Sequence, residues 1–541
     1  MERNVCIDVL IVGAGPVGLT LANDLAARGV SFRIIDGLAE ANRNSRAHGL
    51  QSRTLEALDR LELAQPMLAA AVNPQPPLVM FSGKKVVARI DLGGFHHEPF
   101  PYQLIVWQQQ VERVLAAALE RREKTIERSI RLTTFEMDDD GVTAYVEGGN
   151  ESDTIRSRWI VGCDGGHSTV RERLGLKMRG KAVPGHYMLA EVDLDWPLSR
   201  DEFYEWWHKD GIATAGYIDF TGKWHVIAEC ETEMPADLPT LQRLFRERSG
   251  YAAVTLSNPA WMHLETFHQG APAKLICGRA ILAGDAAHVH SAAGGQGMNT
   301  GIQDALNLGW KLALAAANAA PPSLLQTYES ERLANARELL RTTEKYHHIQ
   351  APQGRVARLF SGAFFKGIEE IKPLAQATAA KVGMLDLNYR PSSLSRQKSR
   401  QARRRARAGD FVPDAACRLG GDPVRLFDVL RGTKGAMLLF AGTNPSEATI
   451  AALKGIEESV SLLSNFVRVY YVFAREADVP AAGMQGDTVV TDGTEHLQIA
   501  FGLGRPEAIY VRPDGYIGLR TVNLRSGAVC NYLRLIYSAL A

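Results

Sequence analysis

The opening of this 541-residue chain, CIDVLIVGAGPVGLTLANDLAARGVSFRIID at residues 6 to 36, constrains its fold more than any other stretch. An apolar run, Val9 to Val12, enters Gly13-x-Gly15-x-x-Gly18. A helical stretch follows, and a second apolar run, Phe32 to Ile35, stops at Asp36. In a strand–helix–strand unit the first glycine permits the tight turn and the second lets backbone approach a pyrophosphate. The third lets helix and strand pack closely, while an acid ending the second strand bonds a ribose hydroxyl. All of these parts fall in register here, so the segment predicts an adenine dinucleotide, without choosing between NAD and FAD.

Two later stretches repeat the pattern of a buried strand delivering acid and glycine to its carboxyl end. Ala280 to Ala283 stops at Gly284-Asp285; Gly294, Gly295, Gly297 and Gly301 follow around Met298-Asn299, and helical spacing begins at Gly301. A glycine-rich loop feeding a helix offers backbone N–H groups and a positive dipole end to a ligand. Trp159 to Cys163 likewise runs into Asp164-Gly165, with Ser168 and Arg171 at a helix start. Three strand ends thus face one crevice, as in a doubly wound α/β sheet. Arg43, Arg46 and Arg53 lie between; arginines in such a loop either fork onto phosphate or are merely solvated. Gln108 to Gln110 open a helix running from Val111 to Arg121.

Length implies two to four domains. Lys+Arg 61 against Asp+Glu 60 leaves +1, so no global field invites nucleic acid or an anionic membrane. No apolar run approaches a membrane span or a signal peptide. The six cysteines (6, 163, 230, 277, 417, 530) form no C-x-x-C pair, which points to reduced thiols, a cytoplasmic location and no metal site.

Texture divides the chain. Residues 1–182 and 276–395 read as two parts of the dinucleotide domain, the second with helices at 323–349 and 354–383. Residues 183–275 read as an inserted antiparallel sheet, to which strands within 75–106 contribute. That sheet is rich in aromatics, among them Tyr204, Trp206, Tyr217 and Trp224; most suit a core, and a few suit an apolar pocket for a flat ring. Residues 396–409 carry seven basic residues in twelve and read as a solvated linker. Residues 410–541 have a strand–helix–strand order, then a hairpin at Arg512 to Gly515 and a last helix, like a thioredoxin-like fold without its cysteine pair. Structure or dimer formation is the role expected of that tail.

The three motifs, in this order and spacing, resemble the FAD-dependent aromatic hydroxylases. These are single-component flavoprotein monooxygenases of the p-hydroxybenzoate hydroxylase fold, and with its tail the chain resembles the phenol, pentachlorophenol and 2-hydroxybiphenyl hydroxylase branch. The resemblance implies that Gly13, Gly15, Gly18 and Asp36 hold the ADP part of FAD. It places Arg46 and Gln108 at the pyrophosphate and ribityl region. Asp164, Gly165 and Arg171 would serve both FAD and NAD(P)H. Gly284 and Asp285 would meet the ribityl chain, with Gly295, Gly297, Met298 and Asn299 along the flavin ring. Trp206, Tyr217 and Ala292 are the expected substrate contacts. One departure stands in the segment His288 to Ala293, which lacks the proline usual beside the flavin; alanine leaves φ free where proline would fix it.

The implied chemistry is hydride transfer from NAD(P)H to FAD, O₂ addition at flavin carbon 4a as a hydroperoxide, and oxygen transfer to a phenolic ring, as in aromatic degradation. In the same branch the residue at His48 is ionisable and faces the substrate hydroxyl. Histidine suits that role because its unperturbed pKa of about 6.5 leaves much of it a neutral acceptor at pH 7. The motifs describe cofactor handling, so epoxidation or Baeyer–Villiger oxygenation of a polyketide-like aromatic, and a flavin-binding protein without turnover, remain rival expectations.

Overall fold

The computed structural model describes residues 6–41, 47–72, 75–90, 96–97, 99–101, 103–148, 151–182, 185–208, 210–230, 234–266, 268–289, 296–350, 380–397, 406–481, 488–493 and 495–540. Arg46, Ala292, Gly295 and nearly all of the expected 354–383 helix lie outside these residues.

The first layer is a mixed sheet. Strand Ile7–Val12 pairs in parallel with Phe32–Asp36 on one side and Glu151–Gly162 on the other, which in turn pairs in parallel with Ala280–Leu282. Val9, Leu10 and Ile11 are fully buried, as a strand flanked on both edges and covered on both faces must be. Helix Pro16–Ala27 starts with proline in its first turn, where the missing N–H costs nothing. It packs against helix Gly297–Ala316, and the fit is tight. A Cβ at Gly309 would lie 2.1 Å from Asp24 Oδ2. Helical order starts at Gly297, four residues before the apolar spacing does.

The second layer is a seven-stranded sheet in the order Thr255–Glu265, His186–Asp195, Lys223–Cys230, Gly211–Ile218, Phe203–His208, Leu78–Ser82, Lys85–Ile90. Helix Leu238–Ser249 lies behind it, capped by the Asp237 carboxylate at one end and by left-handed Gly250 at the other. Leu241, Leu244 and Phe245 bury against the strand residues Tyr204, Trp206, Val226 and Ala228 in one apolar cluster. Because side chains alternate along a strand, Phe203, Glu205 and Trp207 belong to the other face.

The C-terminal sheet has the order Arg396–Gln397, Ile517–Thr521, Glu507–Val511, Gly435–Gly442, Val467–Phe473, Val489–Thr491, Ala416–Leu419, Asp422–Arg425. Both described ends of the expected solvated linker are tied to this sheet. Arg396 and Gln397 pair with Leu519 and Arg520, while Arg520 donates to the Ala406 carbonyl and Gly409 to Ile517. This unit is fastened to the first layer by buried charge. Glu331 accepts from Lys311 Nζ at 2.8 Å and from both Arg512 terminal nitrogens at 2.6 and 3.0 Å, while Arg512 also reaches Asp514.

Candidate active site

The carboxyl ends of the parallel strands lie side by side, and the backbone continues the pairing beyond them. Gly13 N donates to Ile35 O at 2.8 Å, Cys163 N to Val12 O at 2.8 Å, and Ala283 N to Gly162 O at 2.9 Å. The three turns therefore share one edge.

The glycines of the first turn have separate causes. Gly13 has φ +102°, and a Cβ there would lie 2.4 Å from the Cys163 carbonyl oxygen. A Cβ at Gly18 would lie 1.9 Å from the Gly13 carbonyl oxygen, so helix and strand could not close. A Cβ at Gly15 meets nothing within 4 Å. The protein itself demands the outer two glycines; the middle one borders open space at a helix N-terminus, where a diphosphate is stabilised. That space is a cavity of about 430 Å³ lined by Gly13, Gly15, Asp36, Gln108, Asp164 and Gly165 among others. FAD fits this cradle.

Asp36 turns inward as well as toward the cavity. Its carboxylate accepts from Ala14 N at 2.7 Å and Leu38 N at 2.8 Å, with Arg128 at 3.7 Å, and so braces the glycine turn. Gln108 donates to Glu112 at 2.9 Å. Burial pushes the Glu112 carboxyl up to about 7.

At the second turn Asp164 accepts from Val170 N at 3.2 Å, and the Ser168 hydroxyl caps the short helix Thr169–Arg173. Arg171 does not reach into the cavity. Its guanidinium donates to Ala286 O at 3.2 Å and Gly166 O at 2.5 Å, tying the second turn to the third. At the third turn Asp285 is exposed beside Gly284, and Cβ atoms at Gly284 or Gly301 would strike Val17 Cγ2 at 2.7 or 2.6 Å. Asp304 holds this turn from below, accepting from Gly284 N at 3.0 Å, with His288 Nε2 and Arg332 Nε each at 2.5 Å. Burial alone would raise the Asp304 carboxyl, but His288 and Arg332 outweigh it and hold it at about 2.

Gly297 and Met298 form the first helical turn, and a Cβ at Gly297 also meets open space. Asn299 is engaged elsewhere: it accepts from Gln51 N at 2.8 Å and donates to Gly49 O at 2.9 Å. It thereby fixes strand Gly49–Gln51, and with it His48. The His48 ring stacks on Phe203 at 4.7 Å, 5.7 Å from Trp107 and 6.4 Å from His225. His48 Nδ1 is sealed from solvent and has no partner among the described residues. Burial lowers its pKa to about 4, so the imidazole is a neutral acceptor across the physiological range.

Two expected substrate contacts are corrected. Trp206 stacks on Phe81 at 5.3 Å and meets Phe245 at 5.5 Å, and Tyr217 packs on Trp224 at 5.4 Å and under Arg200. Both rings lie on the helix-covered face, across the sheet from His48. The face toward His48 carries Glu191, Phe203, Thr214, His225 and Ile227 instead. An acid inside HYMLAEVDLD and a histidine inside KWHVIAEC, both within apolar strand runs, are the sequence signals that mark this face.

Among the described residues no cluster of three or more His, Cys, Asp or Glu side chains could hold a metal ion, and no helix is long and apolar enough to cross a membrane.

Residues 6–343 match the FAD binding domain family. A flavin-dependent monooxygenase of Mycobacteroides abscessus is 34% identical over 82% of this chain and 90% of that protein. Pentachlorophenol 4-monooxygenase of Sphingobium chlorophenolicum is 29% identical over 95% of this chain and 93% of its own length. Among solved structures, anhydrotetracycline hydroxylase from Streptomyces rimosus superposes with a TM-score of 0.76 at 26% identity, covering 98% of this chain and 99% of that one.

Proposed function

The chain belongs to the FAD binding domain family and is an FAD-dependent aromatic hydroxylase; we propose that it consumes NAD(P)H and O₂ to hydroxylate a phenolic ring held beside His48. The observation that carries this reading is the neutral, solvent-sealed His48 Nδ1 on a ring-lined face. Asn299, a member of the glycine-loop helix, pins it there.

FAD, when bound, would supply the redox chemistry by which two electrons from NAD(P)H reduce O₂, one oxygen atom going to the ring and the other to water. The chain's own residues do the rest. Gly15, Gly13 and the first turn of helix Pro16–Ala27 hold the diphosphate with Gln108 beside it toward the ribityl chain, Asp36 flanks the adenosine side, and Asp285 and Gly297 flank the ribityl side. Phe203, Trp107 and Ile227 keep water from the ring, which strengthens polar contacts inside the pocket. His48 Nδ1 accepts a hydrogen bond from the phenol hydroxyl and polarises its O–H bond; with burial holding its pKa at about 4 it does not take the proton outright. A free phenol with pKa about 10 costs roughly 4 kcal/mol to ionise fully at pH 7, and a positioned acceptor that polarises the hydroxyl as the oxygen is transferred offsets part of that, up to about 10² to 10⁴-fold in rate.

In this reading the seven-stranded sheet is an inserted substrate domain and residues 410–541 form a thioredoxin-like unit serving structure or dimerisation. The parallel strands Gly435–Gly442 and Val467–Phe473 joined by helix Glu447–Val460 support that. All six cysteines are unpaired, which fits a cytoplasmic enzyme. The test is steady-state NAD(P)H oxidation against a panel of phenols, with product mass analysis. Stimulated oxidation with a gain of one oxygen supports the reading. Flavin-loaded protein that no aromatic stimulates overturns it.

A further inference from the structure

The wall of the FAD cradle holds a buried acid on the side where the cofactor brings negative charge. Helix Gln108–Glu120 sets Gln108 and Glu112 one turn apart, so the two side chains are neighbours. Both residues line the cavity together with Asp36. Glu112 is 5% exposed. Its Oε1 accepts from Gln108 Nε2 at 2.9 Å, while its Oε2 has no hydrogen-bond partner among the described residues. Val111, Leu115 and Leu119 of the same helix are fully buried in the core and hold Glu112 in place.

The charged groups that face Glu112 come from several elements. Asp36 ends strand Phe32–Asp36, Arg128 lies 3.7 Å from that carboxylate, and Arg131 is exposed at the rim. Asp164 and His167 also line the cavity. Burial raises the Glu112 pKa and outweighs Gln108 and Arg128, which favour the ionised form; Asp36 adds to the rise, and the carboxyl is pushed up to about 7. FAD adds the two negative charges of its diphosphate, and a like charge disfavours ionisation further. An ionised Glu112 would leave a buried carboxylate oxygen unmatched beside an anion, which is costly. The neutral acid has no such conflict. Its Oε1 keeps the Gln108 bond, and its Oε2–H becomes a donor in a cradle whose ligand is rich in acceptors.

We propose that Glu112 enters the FAD complex as the neutral acid and donates its Oε2–H to an oxygen of the adenosine–diphosphate half of the cofactor. The proton comes from solvent as FAD docks, so binding takes up one proton. The pKa is higher with FAD bound than without it. Affinity is therefore full below pH about 7 and is lost as pH rises from about 7 through the bound value. This inference rests on FAD occupying the cradle and is independent of which ring is hydroxylated.

The test measures the FAD dissociation constant of the full-length, FAD-loaded enzyme between about pH 6 and about pH 9, by equilibrium ultrafiltration with free FAD read from its absorbance. The parent should weaken above pH about 7 by up to about 10-fold per pH unit, the limit for one coupled proton. Glu112→Gln keeps the shape, the Gln108 contact and a donor N–H, but has no proton to titrate. It should bind within about 3-fold of the parent near pH 6 and lose the parent's slope. Any slope left belongs to Asp36, Asp164 and His167, which that variant retains. Glu112→Met removes donor and acid together; it should bind roughly 5- to 150-fold more weakly near pH 6, the range for one buried hydrogen bond left unmade, and lose the slope as well. It carries the comparison if Glu112→Gln does not fold. A parent whose affinity stays constant or rises with pH overturns the contact, because an ionised Glu112 accepting from a ribose hydroxyl would strengthen binding as pH rises. A Glu112→Gln or Glu112→Met protein with the parent's slope overturns it too. Neither flavin reduction nor turnover enters the readout, so a failure of the hydroxylase reading leaves this result standing.

Discussion

Replacing Glu331 by glutamine tests whether buried charge holds the C-terminal unit in place. Glu331 is 3% exposed and accepts five hydrogen bonds: from Asn307 and Lys311 at 2.8 Å each, from Ser392 at 2.6 Å, and from Arg512 at 2.6 and 3.0 Å. Lys311 and Arg512 are both 0% exposed. Glutamine keeps one acceptor oxygen and sets an NH₂ group against donors, so at least two charge-assisted bonds go, each worth ~1.5–3 kcal/mol. The losses do not simply add. Arg512 keeps Asp514, with Nε to Oδ1 at 3.0 Å, and Lys311 can shed its proton, since burial already pushes its ammonium down to about 8. The expected cost is therefore that of breaking one buried pair, ~3–5 kcal/mol. Urea unfolding of Glu331→Gln, Lys311→Met and the double variant measures it, with a coupling of ~1–3 kcal/mol expected between the two sites. The Lys311 pKa is lower folded than unfolded, so between pH about 8 and about 10.5 the unfolded chain binds more protons. Stability therefore rises with pH across that window in the parent, and this rise is missing in Lys311→Met. A loss below ~1 kcal/mol for Glu331→Gln, or strict additivity in the double variant, would refute the reasoning.

Other outcomes follow from the same contacts. Gly15→Val should fold with parental stability and purify poor in flavin, whereas Gly18→Ala should lose stability outright, read by absorbance at the flavin band and by thermal melting; equal FAD occupancy in parent and Gly15→Val would remove the diphosphate from that cradle. His48→Ala should keep FAD and its reduction while hydroxylating a neutral phenol 10² to 10⁴-fold more slowly at pH 7, the deficit shrinking as pH nears the phenol's own pKa of about 10. With the His48 pKa depressed to about 4, parental hydroxylation should show no acid limb from this imidazole near pH 6.5, and a limb there that vanishes in His48→Ala would contradict its burial. Truncation after residue 409 strips Arg512 from Glu331 and the Pro513 carbonyl from Arg60, so the shortened protein should melt lower or aggregate, as size-exclusion and thermal scans will show.

The dinucleotide unit was legible because its signals are local. Strand period, turn glycines and the acids that end the strands are properties of neighbours in the chain, and they located all three strand ends. Local signals also misled at helix Gly297–Ala316, where glycine's low helix propensity hides a first turn that tertiary packing stabilises. What a side chain is used for was not local. Asp36, Arg171 and Asn299 stand where a ligand contact is expected, yet each spends hydrogen bonds on a distant backbone segment brought near by folding. Alternation shows that Phe203 and Trp206 face opposite ways, but which face the helix covers depends on Leu238–Ser249 docking behind the sheet. The face toward His48, with Phe203, His225 and Glu191, joins positions tens of residues apart. Lateral strand register assembles it, and register is set by pairing across the whole sheet rather than by any one strand.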